Sequence, residues 1–390
     1  MSIYNTKIGE FCATHSNWEE LLTTEPYCLK IKRDYGFIIF NYNQLASDFN
    51  NEIVREARGI IFVDGEWEYP VCHAFDKFGN WGESYVPELD WSTVKVSEKI
   101  DGSIIKLWNH NGRWRVSTNG NISARDASIG DVRRDTFEQV FWEGVYSHLD
   151  GEGDIIDKMN SWLSKLNEDF TYIFELVSPY NRVVIPYEKT DVYFLGCRDN
   201  ITNHQYGCDC ATAMMFHCEM FPRPRLFPMK SLADIVVASN NLPWDEEGYV
   251  CYDKDFNRCK IKSPKYVMAH FARNNNVITR WHLINIILKG EMDEFVIYAS
   301  DYAPQIHWVK DLMDSFIAVV DGAGVLARGL RKLDKPRAAE VIKNFDKIAQ
   351  PLMFMNYSRN VSGEEYVADW DVYKWDRVLD HYIKFKEKCK

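Results

Sequence analysis

The chain is 390 residues long, and several familiar signatures are missing from it. No stretch approaches the roughly 20 apolar residues needed to span a bilayer, so a membrane helix is not expected. The N-terminal MSIYNTKIGEF has no basic segment followed by an apolar run, so no signal peptide is expected. Ten cysteines are scattered with no CxxC pairing. The nearest pair, Cys208 and Cys210, stands too close for a standard zinc site, and reduced thiols in the cytoplasm are the expectation. The histidines show no HxxxH spacing, which sets aside the helical metal-hydrolase pattern. There is no P-loop, no GxGxxG, no internal repeat and no low-complexity tract.

Hydrophobic residues make up 46% and charged residues 26%, the mix of a chain able to bury a large core. The length predicts two or three domains. Formal net charge is −11, yet acids are absent from Phe256 to Lys289. That stretch carries Arg258, Lys260, Lys262, Lys265, Arg273, Arg280 and Lys289, a local field suited to phosphates or simply a solvated basic face.

The first two thirds read as strands and turns. Tyr35–Tyr42, Gly59–Val63, Val94–Val96, Ile104–Leu107, Tyr172–Val177, Val183–Tyr187, Val192–Gly196, Gly248–Tyr252 and Arg258–Lys262 are β-branched or aromatic runs. An acid-rich helical stretch is expected between Phe137 and Asp169, and Pro222–Pro228 predicts an extended connection. After about Pro264 apolar residues recur at helical spacing: Val277, Trp281, Ile284 and Leu288, then Ile306, Val309, Leu312, Met313, Phe316 and Val320. Val372, Trp375, Leu379, Tyr382 and Ile383 predict a last amphipathic helix.

The informative element is Glu98-Lys99-Ile100-Asp101-Gly102-Ser103. A lysine at a strand end before an Asp-Gly turn is held at the mouth of a pocket. An amine is nucleophilic only when neutral, which burial or nearby positive charge favours. An ordinary hairpin lysine is the plainer possibility. Downstream, Glu175 sits on an apolar strand, where an unpaired carboxylate is costly, so it needs a partner. Arg182 is one candidate for an ion pair. Glu246 and Glu247 point to opposite faces if extended, so one of them faces any pocket. Lys260 and Lys262, at i and i+2, share a face.

KxDG followed by Phe174-Glu175-Leu176-Val177, Glu247-Gly248-Tyr249-Val250 and Lys260-Ile261-Lys262 resembles, in order and spacing, the motifs of the covalent nucleotidyltransferases. Within that superfamily Glu56–Phe62, Phe75–Glu83, Ser178–Tyr187 and Cys259–Val267 are similar to segments of the phage-type RNA ligase 1 family. The likeness is specific from about Gly36 to Val267.

It implies an α+β fold: a nucleotidyltransferase domain of antiparallel sheets with helices over 1–267, then an all-helical RNA-specificity domain over 268–390, with no OB domain. It also implies an ATP-dependent RNA ligase joining 3′-hydroxyl and 5′-phosphate ends, with Lys99 as AMP-lysine nucleophile. By the same resemblance Lys260 and Lys262 contact the α-phosphate, and Arg58 and Lys77 the β- and γ-phosphates. Glu175 meets the ribose or orders metal, and Glu247 binds the divalent ion, taken as Mg²⁺. Arg58 has a structural ion pair with Glu56 or another carboxylate as its alternative, and Lys77 a purely structural role.

The implied partner is RNA, with cleaved tRNA favoured. No kinase P-loop follows, so end healing is expected from a separate kinase/phosphatase, and a phage-encoded monomer in the host cytoplasm is expected. A nick-sealing duplex ligase and a non-catalytic RNA-binding relative are the alternatives. One departure stands out: the family carries a lysine some twenty residues after the nucleophile, and here that position is Asn119. Any phosphate contact from that lysine is either missing or taken by another residue, with Arg125 as candidate.

Overall fold

Alternating apolar positions build antiparallel ladders through most of the chain's first 262 residues. The computed structural model describes residues 4–129, 135–149, 153–272, 278–347 and 349–388. It divides into two compact units, Met1–His270 and Phe271–Lys390. Arg273 and Val277 of the sequence expectations, and the 130–134 segment, lie outside the described residues.

The first unit carries β1 (Lys30–Asp34), β2 (Phe37–Asn41), β3 (Arg58–Val63), β4 (Lys95–Glu98), β5 (Ser103–His110) and β6 (Arg113–Ser117). There follow β7 (Phe170–Val177), β8 (Asp191–Asp199), β9 (Gln205–Tyr206), β10 (Leu226–Phe227), β11 (Gly248–Tyr252) and β12 (Arg258–Lys262). They form three antiparallel sheets, ordered β1-β2-β3, β10-β4-β11-β12 and β6-β5-β7-β8-β9. The fold is thus a mixed α/β body of antiparallel sheets and helices. Tyr35 leaves the expected strand because Tyr35 and Gly36, both at positive φ, make the tight turn into β2.

The five-stranded sheet buries Ile105, Leu107, Phe174, Leu176 and Phe194 against helices Phe137–Tyr146 and Ile155–Leu163. All eight residues of β7 are buried, so Glu175 enters the site from inside the core. The four-stranded sheet packs Val96, Tyr249, Cys251 and Ile261 on helix Leu232–Asn241. Its β12 edge is closed by the 79–81 segment: Lys260 N–H donates to Gly79 O and Trp81 N–H to Lys260 O, each at 2.9 Å. An exposed ladder edge is thereby paired, and two separately expected motif segments become one surface.

Val183–Tyr187 is not a strand. It is a loop that spends its backbone donors on a carboxylate: Val184 and Ile185 N–H donate to Asp101 Oδ2 at 2.9 and 2.8 Å. Tyr266 Oη donates to Asp101 Oδ1 at 2.7 Å.

In the second unit the described residues form helices and no strand, among them Arg280–Leu288, Ala303–Gly329, Gln350–Ser358 and Val372–Lys388. Ile306, Val309, Leu312, Met313, Phe316 and Val320 are buried along the 27-residue helix, as their spacing predicts. Trp375, Leu379 and Tyr382 are buried on the last helix. Arg280, expected to face nucleic acid, is instead tied within its unit to Asp376 and Asp380, both at 2.7 Å. No described helix is long and apolar enough to cross a membrane.

Asp101 is 3% exposed and accepts from three donors, so Asp101→Ala leaves three buried groups without a partner. The expected loss is about 3–5 kcal/mol in chemical denaturation. A loss under about 1 kcal/mol would show that the loop and Tyr266 are not fixed by this carboxylate.

Candidate active site

Lys99 follows β4, and its N–H donates to Gly248 O at 2.9 Å, which pins the residue across the sheet from β11. Its Nζ donates to Glu247 Oε2 at 2.7 Å. Glu247 is 4% exposed, and its other oxygen lies 3.4 Å from Lys262 Nζ. Glu246, on the opposite side, is exposed and pairs with Arg225 at 3.1 Å. Gly248, at φ +138°, permits this closeness, since a Cβ there would lie 2.7 Å from Lys262 Cα. Gly102 has a matching role: a Cβ would lie 2.9 Å from Glu175 Cγ.

These elements surround a cavity of about 590 Å³. Arg58, Lys77, Lys99, Glu175, Lys260 and Lys262 line it, with apolar walls from Phe75, Phe78, Ile104, Leu195 and Val250. An apolar slot with a few convergent polar groups is the ordinary make-up of a small-molecule site. Residues from six strands and two loops thus meet. Glu247 stands behind Lys99 instead of forming part of this wall.

Burial drives the chemistry of Glu175. It pushes the carboxyl up from 4.5 to about 7, with Lys99 opposing and Glu247 reinforcing. Arg58 does not pair with Glu56, whose carboxylate caps helix Lys7–Thr14 by accepting from Lys7 and Ile8 N–H at 3.0 Å. Arg58 lies over the Phe78 ring at 5.2 Å, and its buried Nε has no partner. Lys77 borders the cavity, but its ammonium sits 5.0 Å from the Tyr42 and Phe49 rings.

Asn119 is part of the wall. The expectation that Arg125 stands in for the family lysine there fails, because Arg125 is exposed and bound to Glu138 at 2.7 Å beside a different groove.

Sequence reasoning missed other groups. Arg258, named as part of the basic run, lines the cavity. Arg198 donates to Asp76 Oδ1 and Ala74 O at 2.8 Å and holds the segment that carries Phe75 and Phe78. Lys106, fully buried, donates to Gly59 O, and burial lowers its proton affinity. The alternation in Ile104-Ile105-Lys106-Leu107 could have flagged a lysine inside a core strand, whereas nothing in sequence joins Arg198 to Asp76.

No cluster of three or more His, Cys, Asp or Glu suited to a metal occurs among the described residues. Glu98 in the wall is engaged by Arg225 at 3.0 Å, which leaves Glu175 and the more recessed Glu247 as the carboxylates at hand. That fits Mg²⁺, which takes one or two carboxylates and completes its shell with phosphate and water oxygens.

Clustered cations around a partly exposed lysine paired with a buried glutamate make a site suited to phosphate groups. The family model described as RNA ligase matches residues 56–266, and the chain belongs to that family. A protein of Autographa californica nuclear polyhedrosis virus, assigned as a bifunctional polynucleotide kinase/RNA ligase, is 28% identical over 70% of this chain and 39% of its own length. The chain therefore spans about two fifths of that relative. An RNA ligase of Rhodothermus phage RM378 is 25% identical over 66% of this chain and 69% of its own. Among solved structures, an archaeal ATP-dependent RNA ligase aligns over 80% of this chain and 81% of that one, at 14% identity and a TM-score of 0.43.

Because Glu175 binds its proton more tightly folded than unfolded, stability should fall as pH rises from 4.5 towards 7. The full difference, up to about 3 kcal/mol, is lost above that window. Urea unfolding of the ligand-free protein across the range should show this slope, and Glu175→Gln should flatten it. Parallel slopes in both proteins would assign the titration elsewhere.

Proposed function

We propose that the chain is an ATP-dependent RNA ligase with a nucleotidyltransferase body, in which Lys99 carries AMP. The observation that supports this most directly is the Lys99 amine, held by buried Glu247 at a cavity walled by Arg58, Lys260 and Lys262. In the first step Lys99 Nζ attacks the α-phosphorus of ATP and pyrophosphate leaves. The AMP then passes to an RNA 5′-phosphate, and an RNA 3′-hydroxyl displaces it to form the phosphodiester. Such transfers depend on in-line placement and neutralisation of charge more than on proton transfer.

Lys260 and Lys262 would hold the α-phosphate and Arg58 the tail. Glu175, close to neutrality, offers the ribose either a hydrogen-bond donor or an acceptor. Glu247 with Glu175 would hold Mg²⁺, whose bound charge supplies electrostatic stabilisation of the phosphates. The substrate we infer is cleaved tRNA, with its ends healed by a separate kinase/phosphatase. The second unit, which holds no strand among its described residues, favours this over a nick-sealing enzyme with a β-rich domain.

Lys99→Ala should abolish transfer of label from α-labelled ATP to the protein, while pre-adenylylated RNA is still sealed weakly, since the amine acts only in step one. Labelling that persists in this variant would place the AMP on another residue.

Every motif residue lies in the first unit, so residues 1–270 alone should still become labelled. We assign the helical unit the choice of RNA, so the truncation should lose about tenfold or more in joining cleaved tRNA relative to a simple oligonucleotide. An unchanged ratio, or a soluble truncation with no labelling, would refute this division.

A further inference from the structure

Arg258, Lys260 and Lys262 stand at alternate positions of β12, so they share one strand face, and all three line the cavity. Lys262 marks the nucleophile's end of the row, because it shares Glu247 with Lys99. Arg258 marks the other end, roughly 13 Å along the strand at about 3.3 Å per residue.

Arg258 is 8% exposed, yet its guanidinium meets no carboxylate within ion-pair distance among the described residues. Its Nη1 donates to Gln205 Oε1 at 2.5 Å and Phe256 O at 3.3 Å, and the group lies 4.2 Å from the Phe75 ring centre. Burial, then the like charge of Arg198, lowers its proton affinity to about 10, and Arg58 adds to the repulsion. Asp76 is the acid nearby, and it is already engaged by Arg198 at 2.8 Å and His73 at 3.1 Å. Arg58 adds a buried Nε with no partner. A buried cation without a counter-charge is costly, and Arg258 with half-buried Arg58 repelling it makes a place for a multiply charged anion.

The geometry points to Arg258 as a further substrate-binding residue, one that receives the β- and γ-phosphates of ATP and holds them as the pyrophosphate leaves. This rests on the lysyl-adenylate reading above. There, Lys99 Nζ gives up its proton to solvent, which reaches its partly exposed side chain, and forms a bond to the α-phosphorus. The bond from that phosphorus to the bridging oxygen breaks, and the oxygen keeps the electron pair as part of pyrophosphate. Negative charge grows on the leaving group in that step. A guanidinium already fixed by Gln205 and Phe75 meets it without reorganising.

The test uses the full chain with Arg258→Met and Arg258→Lys. Three constants are measured: KM for ATP in labelling of Lys99, KM for inorganic pyrophosphate in the reverse reaction from isolated lysyl-adenylate, and Kd for AMP. Arg258→Met should raise both KM values about tenfold or more, the worth of one charge-assisted hydrogen bond, with AMP affinity shifting less than about threefold. Arg258→Lys should recover part of the pyrophosphate KM, as a point charge without the planar fork.

Parallel losses for AMP, ATP and pyrophosphate would reveal a purely structural arginine and overturn the inference. An unchanged pyrophosphate KM would overturn it equally, and if Arg258→Met does not fold, the lysine variant decides by the same criterion. Wild-type protein that takes no label at Lys99 would sink the ligase reading instead. Arg258 is then judged by direct binding of inorganic pyrophosphate, which the variants must weaken about tenfold.

Discussion

One buried carboxylate answers two lysines, and the site is arranged around it. Glu247 precedes β11, Lys99 follows β4 and Lys262 ends β12, so three adjacent strands of one sheet converge on two oxygens, 2.7 and 3.4 Å from the two amines. One negative charge between two positive ones leaves the group net positive. Taking the carboxylate away would set two poorly solvated cations against each other, at a cost of several kcal/mol. An arriving phosphate changes the balance in the opposite sense. On the proposed reading it would give the lysines a second acceptor and leave Glu247 free for a divalent cation.

The same logic reconciles a chain of net charge −11 with the polyanionic substrate proposed for it. Arg58, Lys77, Lys99, Arg258, Lys260 and Lys262 border a cavity whose wall holds two carboxylates. Glu98 is taken by Arg225 at 3.0 Å, and burial draws Glu175 toward its neutral form. Low-dielectric walls then focus a positive field inward while the acids elsewhere keep the surface negative.

What could be read from the sequence follows from the range of the interactions involved. Lys260 and Lys262 share a face because a strand repeats every two residues. The buried face of the long helix Ala303–Gly329 was legible for a similar reason. Val183–Tyr187 has strand composition but no ladder, since Asp101, more than 80 residues away, takes its backbone donors. Arg280 sits in an acid-free stretch, yet two aspartates about 100 residues on neutralise it. The Arg198–Asp76–His73 network was invisible likewise, because it is a product of the tertiary fold alone.

Asp101 also bears on where the first unit must end. The turn after Lys99, the proposed nucleophile, is secured through Asp101 by Tyr266, which lies beyond β12 on helix Pro264–Ala272. The Lys262 ammonium lies 5.8 Å from the same ring, so Tyr266 borders both the turn and that lysine. A chain stopping at Lys262 would keep the proposed reactive groups and lose the side chain that holds Asp101. The family match runs to residue 266, and the compact unit to His270, just past that tyrosine. The expected boundary at 267 lay close to this point because the motif segment through Val267 includes the tyrosine itself. The physical limit is the helix turn that carries its ring into the core, since a side chain 2% exposed needs its own backbone held on both sides.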